Sequence, residues 1–598
     1  MTLDLTLSSL TRAYRSRTLT PAALVEQLLA ARRAHTANNI WISEVGDDAL
    51  RARARELAHV DPESLPLYGI PFAIKDNIDF AGLSTTAGCA AFAYQPQSSA
   101  PVVAALLDAG AIALGKTNLD QFATGLVGTR SPYGVCRNAF DPAYISGGSS
   151  SGSAVAVALG LASFALGTDT AGSGRVPAAF NNLIGYKPTL GSLSMRGVVP
   201  ACRSLDAMSI FALTADDASR VAAVVAKFDP DDAWSRAAQV PSRRGWGRAV
   251  NFRFAVPRAA QLEFFGNAAY ANLFEASIQR LSDLGGEPHE VDIEPLLETA
   301  RLLYEGPWVA ERYLATEALL TSQPDAMLEV TRRIILGGSA RPALDAFRAQ
   351  YRLKELVCEA QVIWKIADVL HLPTAGTHYR IADEQAEPLR LNSTLGRYTN
   401  FVNLMDLAAV AVPAGFTPER LPFGVSLIAP AWNDADLLAL AGRLQRAAVS
   451  TLGATSLPIP APDAAPPDAS LIDLMVCGAH MSGLPLNKQL QERGAWQIST
   501  TRTAPNYRFY ALPGGPPFRP GLVQVKEGGV AVDVEVWRMP IEHFGSFVAG
   551  IPAPLGIGKV KLENGGVVSG FLCESVGVTG AQDISQLGGW RQFLRTRG

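Results

Sequence analysis

The chain has little with which to bind a metal ion. Its six cysteines (89, 136, 202, 358, 477 and 573) lie far apart and form no CxxC pair. That excludes a zinc knuckle and a disulfide framework. Seven histidines are equally scattered, and no HExxH motif occurs. Charge is scarce: charged residues are 18% of the chain and the formal net charge is −3. Such a balance supplies no basic face for nucleic acid or an anionic membrane. Long hydrophobic runs are missing as well. The least polar stretch, 154–166, is too short and too rich in small residues to span a bilayer. Residues 1–17 alternate polar and apolar and lack the apolar centre of a signal peptide. The expectation is a cytoplasmic protein without metal or cofactor, whose partner is a small molecule rather than nucleic acid or membrane.

What is present is ordinary core material: 48% of the 598 residues are hydrophobic. That length predicts roughly two to four domains. Thr20-Pro21 opens an amphipathic helix over 20–34 at N-cap and N1 positions. Residues 67–79 read as a buried strand whose last members are Ile74 and Lys75. Helical and strand patterns then alternate at 100–109, 111–115, 152–161 and 163–167, and again at 421–448. This alternation predicts an α/β architecture with a largely covered sheet. The composition changes at 455–470, where five prolines predict a stiff exposed linker. Beyond it, 471–598 holds short β-rich runs and reads as a smaller, mainly β (α+β) domain. The expected division is therefore 1–454, 455–470 and 471–598.

At 144–158, YISGGSSSGSAVAVA places an unbroken run of Gly and Ser before a helix of small residues. A flexible linker explains such a run only if a solvated segment follows. Here a buried helix and a buried strand follow, so the loop needs a chemical reason. Three polar features stand where apolar ones are expected. Lys75 ends a buried strand, where its pKa falls from about 10.4 toward neutrality unless it is paired. Ser149 lies in a turn at a helix N-terminus. Ser173 lies in DTAGSGR (169–175), whose small residues let successive N–H groups of Thr170, Ala171, Gly172 and Ser173 converge as an oxyanion hole. Two serines and a neutral lysine make an acyl-transfer site without histidine.

GGSSSGS, followed by DTAGSGRVPAAFNNLIGYKPT and preceded by GIPFAIKDNID, resembles the amidase signature family. The spacing of 24 residues from Ser149 to Ser173 matches that family's. The resemblance covers about 10–450, including NLDQFATG (118–125) and LPFGVSLIAP (421–430). It implies a large mixed central sheet covered by helices. It also implies Lys75 as base, Ser149 as a bridging serine on a cis peptide and Ser173 as nucleophile. Ser151 and Ala171 depart from the family's usual glycines. Alanine at 171 keeps its N–H free. Arg175 is read as a loop anchor and Asp169 as an organiser of the same loop.

The substrate is addressed by YEGPWVAERYLATEALL (304–320). Gly306-Pro307 breaks one helix and begins another, with Tyr304 just outside it and Arg312 on its second turn. The two side chains are placed to meet one carboxylate; the alternative is that Arg312 pairs with Glu305 or Glu311 on a solvated face. With VCGAHMSGLPLN (476–487), this stretch resembles the allophanate hydrolases of the family. That resemblance implies that Tyr304, Arg312 and Gly125 bind allophanate. Its terminal amide is then cleaved to ammonia and N-carboxycarbamate, which decarboxylates to ammonia and CO2. It further implies a γ-glutamylcyclotransferase-like C-terminal domain, a homodimer and association with a biotin-dependent urea carboxylase. The C-terminal domain either hastens decarboxylation, with His480 and Arg502 or Arg508 holding the intermediate, or serves in assembly. Rival readings are an amidase for another small amide and a protein like the amidase-type component of glutamyl-tRNA amidotransferase. The latter has no reason to carry 471–598. Urea carboxylation and triazine degradation both remain open as sources of allophanate.

Overall fold

A computed structural model describes residues 3–239, 245–462 and 471–597. The chain divides into two compact units, one of 1–240 with 253–463 and one of 241–252 with 464–598. The first unit is built on eleven strands: β1 (Trp41–Glu44), β2 (Pro71–Lys75), β3 (Ile112–Thr117), β4 (Phe164–Asp169), β5 (Ile184–Lys187), β6 (Ala207–Ala212), β7 (Phe252–Pro257), β8 (Gly286–Val291), β9 (Val369–Pro373), β10 (Leu407–Phe416) and β11 (Pro422–Pro430). Their order in the sheet is β1-β3-β2-β4-β6-β5-β10-β11-β9-β7-β8. Pairing is parallel for β2 with β3 and β4, and antiparallel for β4 with β6 and β10 with β11. This is the large mixed sheet that the family resemblance implies.

Central strands β2, β3, β4 and β6 are buried along their whole length. Both their faces are covered by helices, which is why they read as continuous apolar runs rather than alternating ones. Phe72 of β2 stacks on Phe164 of β4, ring centroids 5.2 Å apart. The pairing aligns Ile74 with Leu166, so two parallel strands deliver Lys75 and Asp169 to the same edge of the sheet. The sequence boundaries shift by a few residues. Thr20 caps the helix Pro21–Ala34 by accepting from Ala23 N–H, whereas of 67–79 only Pro71–Lys75 is strand.

The segment read as a linker begins with bonded chain. Thr451 bridges Pro458, and Ile459 N–H donates to Ser450 O at 3.1 Å. Asn182 Nδ2 holds Thr451 O at 3.1 Å and Gly453 O at 2.8 Å. Its second half, 463–470, lies outside the described residues.

The second unit is mainly β. A five-stranded sheet combines β12 (Leu471–Val476), β13 (Trp496–Arg502), β16 (Asp533–Pro540), β17 (Leu555–Lys561) and β18 (Val567–Cys573) in the order β13-β16-β12-β18-β17. A smaller sheet joins β14 (Tyr507–Ala511), β15 (Pro520–Gln524) and β19 (Gln582–Asp583). Tyr507, Phe509, Trp537 and Trp590 form part of its buried core. Among the described residues no helix is long and apolar enough to cross a membrane.

Candidate active site

The Gly/Ser loop is interior. Ser149, Ser150, Ser151 and Ser153 are each at most 1% exposed, and every one has a task. Ser150 Oγ donates to Thr168 O at 3.2 Å and Ser153 Oγ to Leu166 O at 2.9 Å, stitching the helix Ser151–Ala158 to β4. Ser151 Oγ donates to Asn118 O at 3.3 Å. A Cβ at Gly167 would lie 2.8 Å from Ser150 Oγ, so small residues are required for helix and strand to approach this closely.

Ser149 follows a cis Gly148–Ser149 peptide. Its Oγ accepts from Lys75 Nζ at 2.8 Å, and Nζ donates also to Thr168 Oγ1 at 2.8 Å. Lys75 is wholly buried. Burial lowers its pKa from the ordinary 10.5 to about 7, against the opposing pull of Asp120, Asp206 and Asp169. Among the described residues no hydrogen bond closes between Ser149 Oγ and Ser173 Oγ. A ligand-free site need not close one, because catalytic contacts tighten when substrate binds.

Ser173 sits in a loop fixed by an ion pair. Arg175 Nε and Nη2 each reach Asp169 at 2.9 Å, and both side chains are fully excluded from solvent. Asp169 Oδ2 accepts Gly174 N–H at 3.0 Å, and Arg175 Nη2 donates to Thr399 O at 3.1 Å. Burial alone would raise the Asp169 carboxyl; Arg175, Lys187 and the Gly174 N–H hold it below its ordinary value. Gly172 has φ +141, and a Cβ there would lie 2.5 Å from Thr399 Oγ1. The result is a run of backbone donors without acceptors. Among the described residues the N–H groups of Thr170, Ala171, Gly172 and Ser173 find no protein partner, although all four residues are buried. Buried N–H groups are rarely left so.

Tyr304 and Arg312 are brought together. Tyr304 lies in the last turn of the helix Glu294–Glu305, and the next helix starts at Val309, so Arg312 lies on its first turn rather than the second. Pro307 stands between the two. Arg312 Nη2 donates to Tyr304 OH at 3.4 Å, and Nη1 to Thr124 Oγ1 at 3.0 Å and Ala123 O at 3.3 Å. The guanidinium is 2% exposed, yet among the described residues it has no carboxylate within ion-pair reach. Glu311 is engaged by Ser204 N–H at 2.9 Å and by the Ser204 hydroxyl instead. Gly125 follows Thr124, and a Cβ there would lie 2.6 Å from Asp120 Oδ2. That carboxylate accepts the N–H groups of Val127 and Gly128 at 3.1 Å and of Arg130 at 3.0 Å, shaping the loop beneath Arg312.

The amidase family model matches residues 23–438, well over half of the chain. The chain belongs to the amidase family. A second model, the allophanate hydrolase C-terminal domain, matches 472–595. The solved allophanate hydrolase of Kluyveromyces lactis is 41% identical to this amidase, with each chain fully covered and a TM-score of 0.80. The urea amidolyase of Saccharomyces cerevisiae is 43% identical over 589 residues, 96% of this chain but 32% of the relative. The chain thus spans about a third of the length of the urea amidolyases that it matches. A glutamyl-tRNA(Gln) amidotransferase component of Deinococcus radiodurans is 35% identical, covering 76% of this chain and 98% of that protein.

In the amidase's second unit, His480 lines a cavity of about 260 Å³ with Gln489, Arg519, Phe547 and Phe571. Its Nε2 lies 3.0 Å from Gln489 Oε1, and its ring stacks on Phe571 with centroids 5.1 Å apart. Burial lowers the His480 pKa, against the Gln489 contact. Arg502 and Arg508 do not line this cavity. They face water on β13 and β14 and pair with Asp533 at 3.2 Å and Asp583 at 3.6 Å; the arginine that lines the cavity is Arg519.

Sequence reasoning missed Thr168, Asp120, Asp206 and Asn403. Asn403 Nδ2 donates to Asp169 O at 2.8 Å and Leu205 O at 2.7 Å, binding the serine loop to distant chain. Nothing local to residue 403 signals that role. Replacing Arg175 by Met leaves Asp169 buried and unpaired, and such a loss costs about 3–5 kcal/mol. A carboxyl whose folded pKa is lowered contributes stability above its unfolded pKa and loses it as pH falls. The Arg175→Met deficit is therefore greatest at neutral pH and narrows as pH falls into the carboxylate range, where the unpaired Asp169 of the variant takes up a proton. Denaturant unfolding across pH measures it.

Proposed function

We propose that this amidase hydrolyses the terminal amide of allophanate, and the observation that carries the substrate class is Arg312. A buried guanidinium without a carboxylate partner is costly. A substrate carboxylate supplies the missing anion, with Tyr304 OH and the 123–125 loop beside it. The K. lactis allophanate hydrolase, similar along the whole chain, supports this reading.

In the proposed mechanism Lys75 is the base. With its pKa lowered to about 7 by burial, Lys75 is readily uncharged near neutral pH, and the 2.8 Å contact then runs from Ser149 Oγ–H to the Nζ lone pair. Ser149 in turn takes the Ser173 proton. Ser173 Oγ attacks the amide carbonyl, and the unpartnered N–H groups of residues 170–173 receive the oxyanion. Ser149 returns the proton to departing ammonia. Water then cleaves the acyl-enzyme to N-carboxycarbamate, which decarboxylates to ammonia and CO2. Thr168 keeps Lys75 aimed, and Asp169 and Arg175 hold the loop without moving protons. We place N-carboxycarbamate in the His480 cavity, where Arg519 offers a cation to a dicarboxylate. The urea amidolyases contain a segment like this chain within a threefold longer protein, which supports association with a biotin-dependent urea carboxylase.

Ammonia release from allophanate, with malonamate and glutamine as competing substrates, tests the reading. Glutamine preferred over allophanate would favour the amidotransferase alternative. Ser173→Ala is expected to lose on the order of 10³-fold or more in kcat. Because the base must be neutral, kcat/KM rises with pH through about 7 and levels above it. An acid limb unchanged in a residually active Lys75→Met variant would remove Lys75 from this role.

Arg312→Lys is expected to raise KM for allophanate roughly 10- to 100-fold with a smaller change in kcat, since a point charge cannot copy the fork. Tyr304→Phe raises it less. For the second step, ¹³C NMR of early products distinguishes the roles of the C-terminal domain. A transient dicarboxylate in His480→Ala, absent from the wild type, is the expected outcome; no such signal would leave the domain to assembly.

A further inference from the structure

Asp206 is a buried carboxylate, 7% exposed, with no cation in ion-pair reach among the described residues. The pairing of β4 with β6 sets Asp169 opposite Ala207. Thr170, just past the end of β4, therefore stands beside Asp206, just before the start of β6. The Thr170 hydroxyl donates to Asp206 Oδ1, and the carboxylate also accepts the N–H groups of Ala201 at 2.8 Å and Cys202 at 3.2 Å. Next to it, Asn403 Nδ2 spans Asp169 O at 2.8 Å and Leu205 O at 2.7 Å. The 201–206 loop is so fastened twice to the loop that carries the unpartnered N–H groups. On its other side it grips the helix Val309–Ser322. Ser204 N–H donates to Glu311 Oε2 at 2.9 Å, and the Ser204 hydroxyl donates to Oε1. Cys202 Sγ–H donates to Trp308 O at 3.4 Å. An acidic residue in the first turn of a helix is favourable in itself. That does not require its carboxylate to be taken up by the backbone of another loop.

Consecutive side chains on a helix point about 100° apart. Holding Glu311 therefore sets the rotation of the helix, and with it the direction in which Arg312 leaves the backbone. Thr124 and Ala123 hold the guanidinium end of the same side chain. We propose that the 201–206 loop is a spacer that fixes the distance between the backbone donors at 170–173 and the Arg312 guanidinium. Asp206 and Glu311 are its positioning residues, and the spacing selects amides whose carboxylate carbon lies one atom away from the amide carbon. This rests on the reading of Arg312 as partner of the substrate carboxylate. Allophanate has one nitrogen between those two carbons, malonamate has one methylene, and succinamate has two. A fixed spacing accepts the first two and sets the carbonyl of the third away from the donors, and a displacement of about 1 Å costs on the order of 10²-fold in rate.

Steady-state hydrolysis of malonamate and succinamate by the full chain tests this. The wild type is expected to prefer malonamate on the order of 100-fold in kcat/KM. Glu311→Ala is expected to cut that preference about 10-fold, chiefly by raising KM for malonamate. Circular dichroism and Tm verify that the variant is folded. Glu311→Gln keeps an acceptor for the Ser204 hydroxyl and is expected to retain more of the preference than Glu311→Ala, which a general loss of stability would not produce. Asp206→Asn acts at the other end of the spacer and is expected to lower kcat more than it raises KM. A preference that survives both Glu311→Ala and Asp206→Asn would overturn the spacer and leave Arg312 in its role. So would an equal fall for both substrates in Glu311→Ala, or a wild type indifferent to the extra methylene while Arg312→Lys still raises KM for malonamate. If the wild type is indifferent and Arg312→Lys also leaves KM unchanged, the carboxylate reading itself fails, and the spacer with it.

Discussion

Asp169 and Arg175 form a fully buried, two-pronged ion pair, and the geometry of the serine loop depends on it. Six residues of chain must turn from the end of a central strand into the helix Val176–Phe180 without water to satisfy the backbone. The pair resolves this by committing the carboxylate to Arg175 and Gly174 N–H, and the guanidinium to Thr399 O. Asn403 ties the same loop to Leu205. With the ends so held, the N–H groups between them point at no protein acceptor. An ion pair at this depth gains little net stability, because desolvation offsets attraction. What it secures is the conformation of the loop between strand and helix.

Around this loop the charges are balanced so that two cations are left with work to do. Lys75 is surrounded at longer range by Asp120, Asp169 and Asp206, yet none bonds it. Each acid has other obligations: Asp120 to three backbone N–H groups, Asp169 to Arg175, Asp206 to Thr170 and to the N–H groups of Ala201 and Cys202. Desolvation therefore dominates, and the lysine is easily neutralised. Arg312 faces the opposite outcome. Guanidinium does not give up its proton, so burial leaves an unanswered positive charge. In the proposed mechanism one cation accepts a proton and the other attracts the substrate's anion.

Much of this was legible in the residues. The Gly/Ser run before a buried helix, the lysine ending a buried strand and the small-residue turn around Ser173 each break a core pattern, and such breaks mark function. The convergence of Tyr304 with Arg312 was also readable, because Gly306-Pro307 reorients the chain between them. Other features were not. Which arginine lines the His480 cavity was not readable, since Arg502 and Arg508 lie on strands while Arg519 stands just before β15 and only the fold brings it to His480. Thr168 and Asn403 look like ordinary core polar residues until their partners are known.

By itself the sequence determined the chemistry available: a lysine ending a buried strand, two serines in small-residue turns and an arginine beside a tyrosine, with apolar patterning that buries them in a covered α/β sheet. Local rules suffice for that, because strand, turn and helix signals act over a few residues. Only the tertiary structure decided which of those groups meet. Parallel pairing of β2 with β4 brings Lys75 to Ser149 across 74 residues. Packing of the 309–322 helix on the 120–130 loop carries Arg312 across 188 residues to Thr124. It likewise decided which charges stay unpaired, since an ion pair forms or fails on distances of a few ångströms that no stretch of sequence encodes alone.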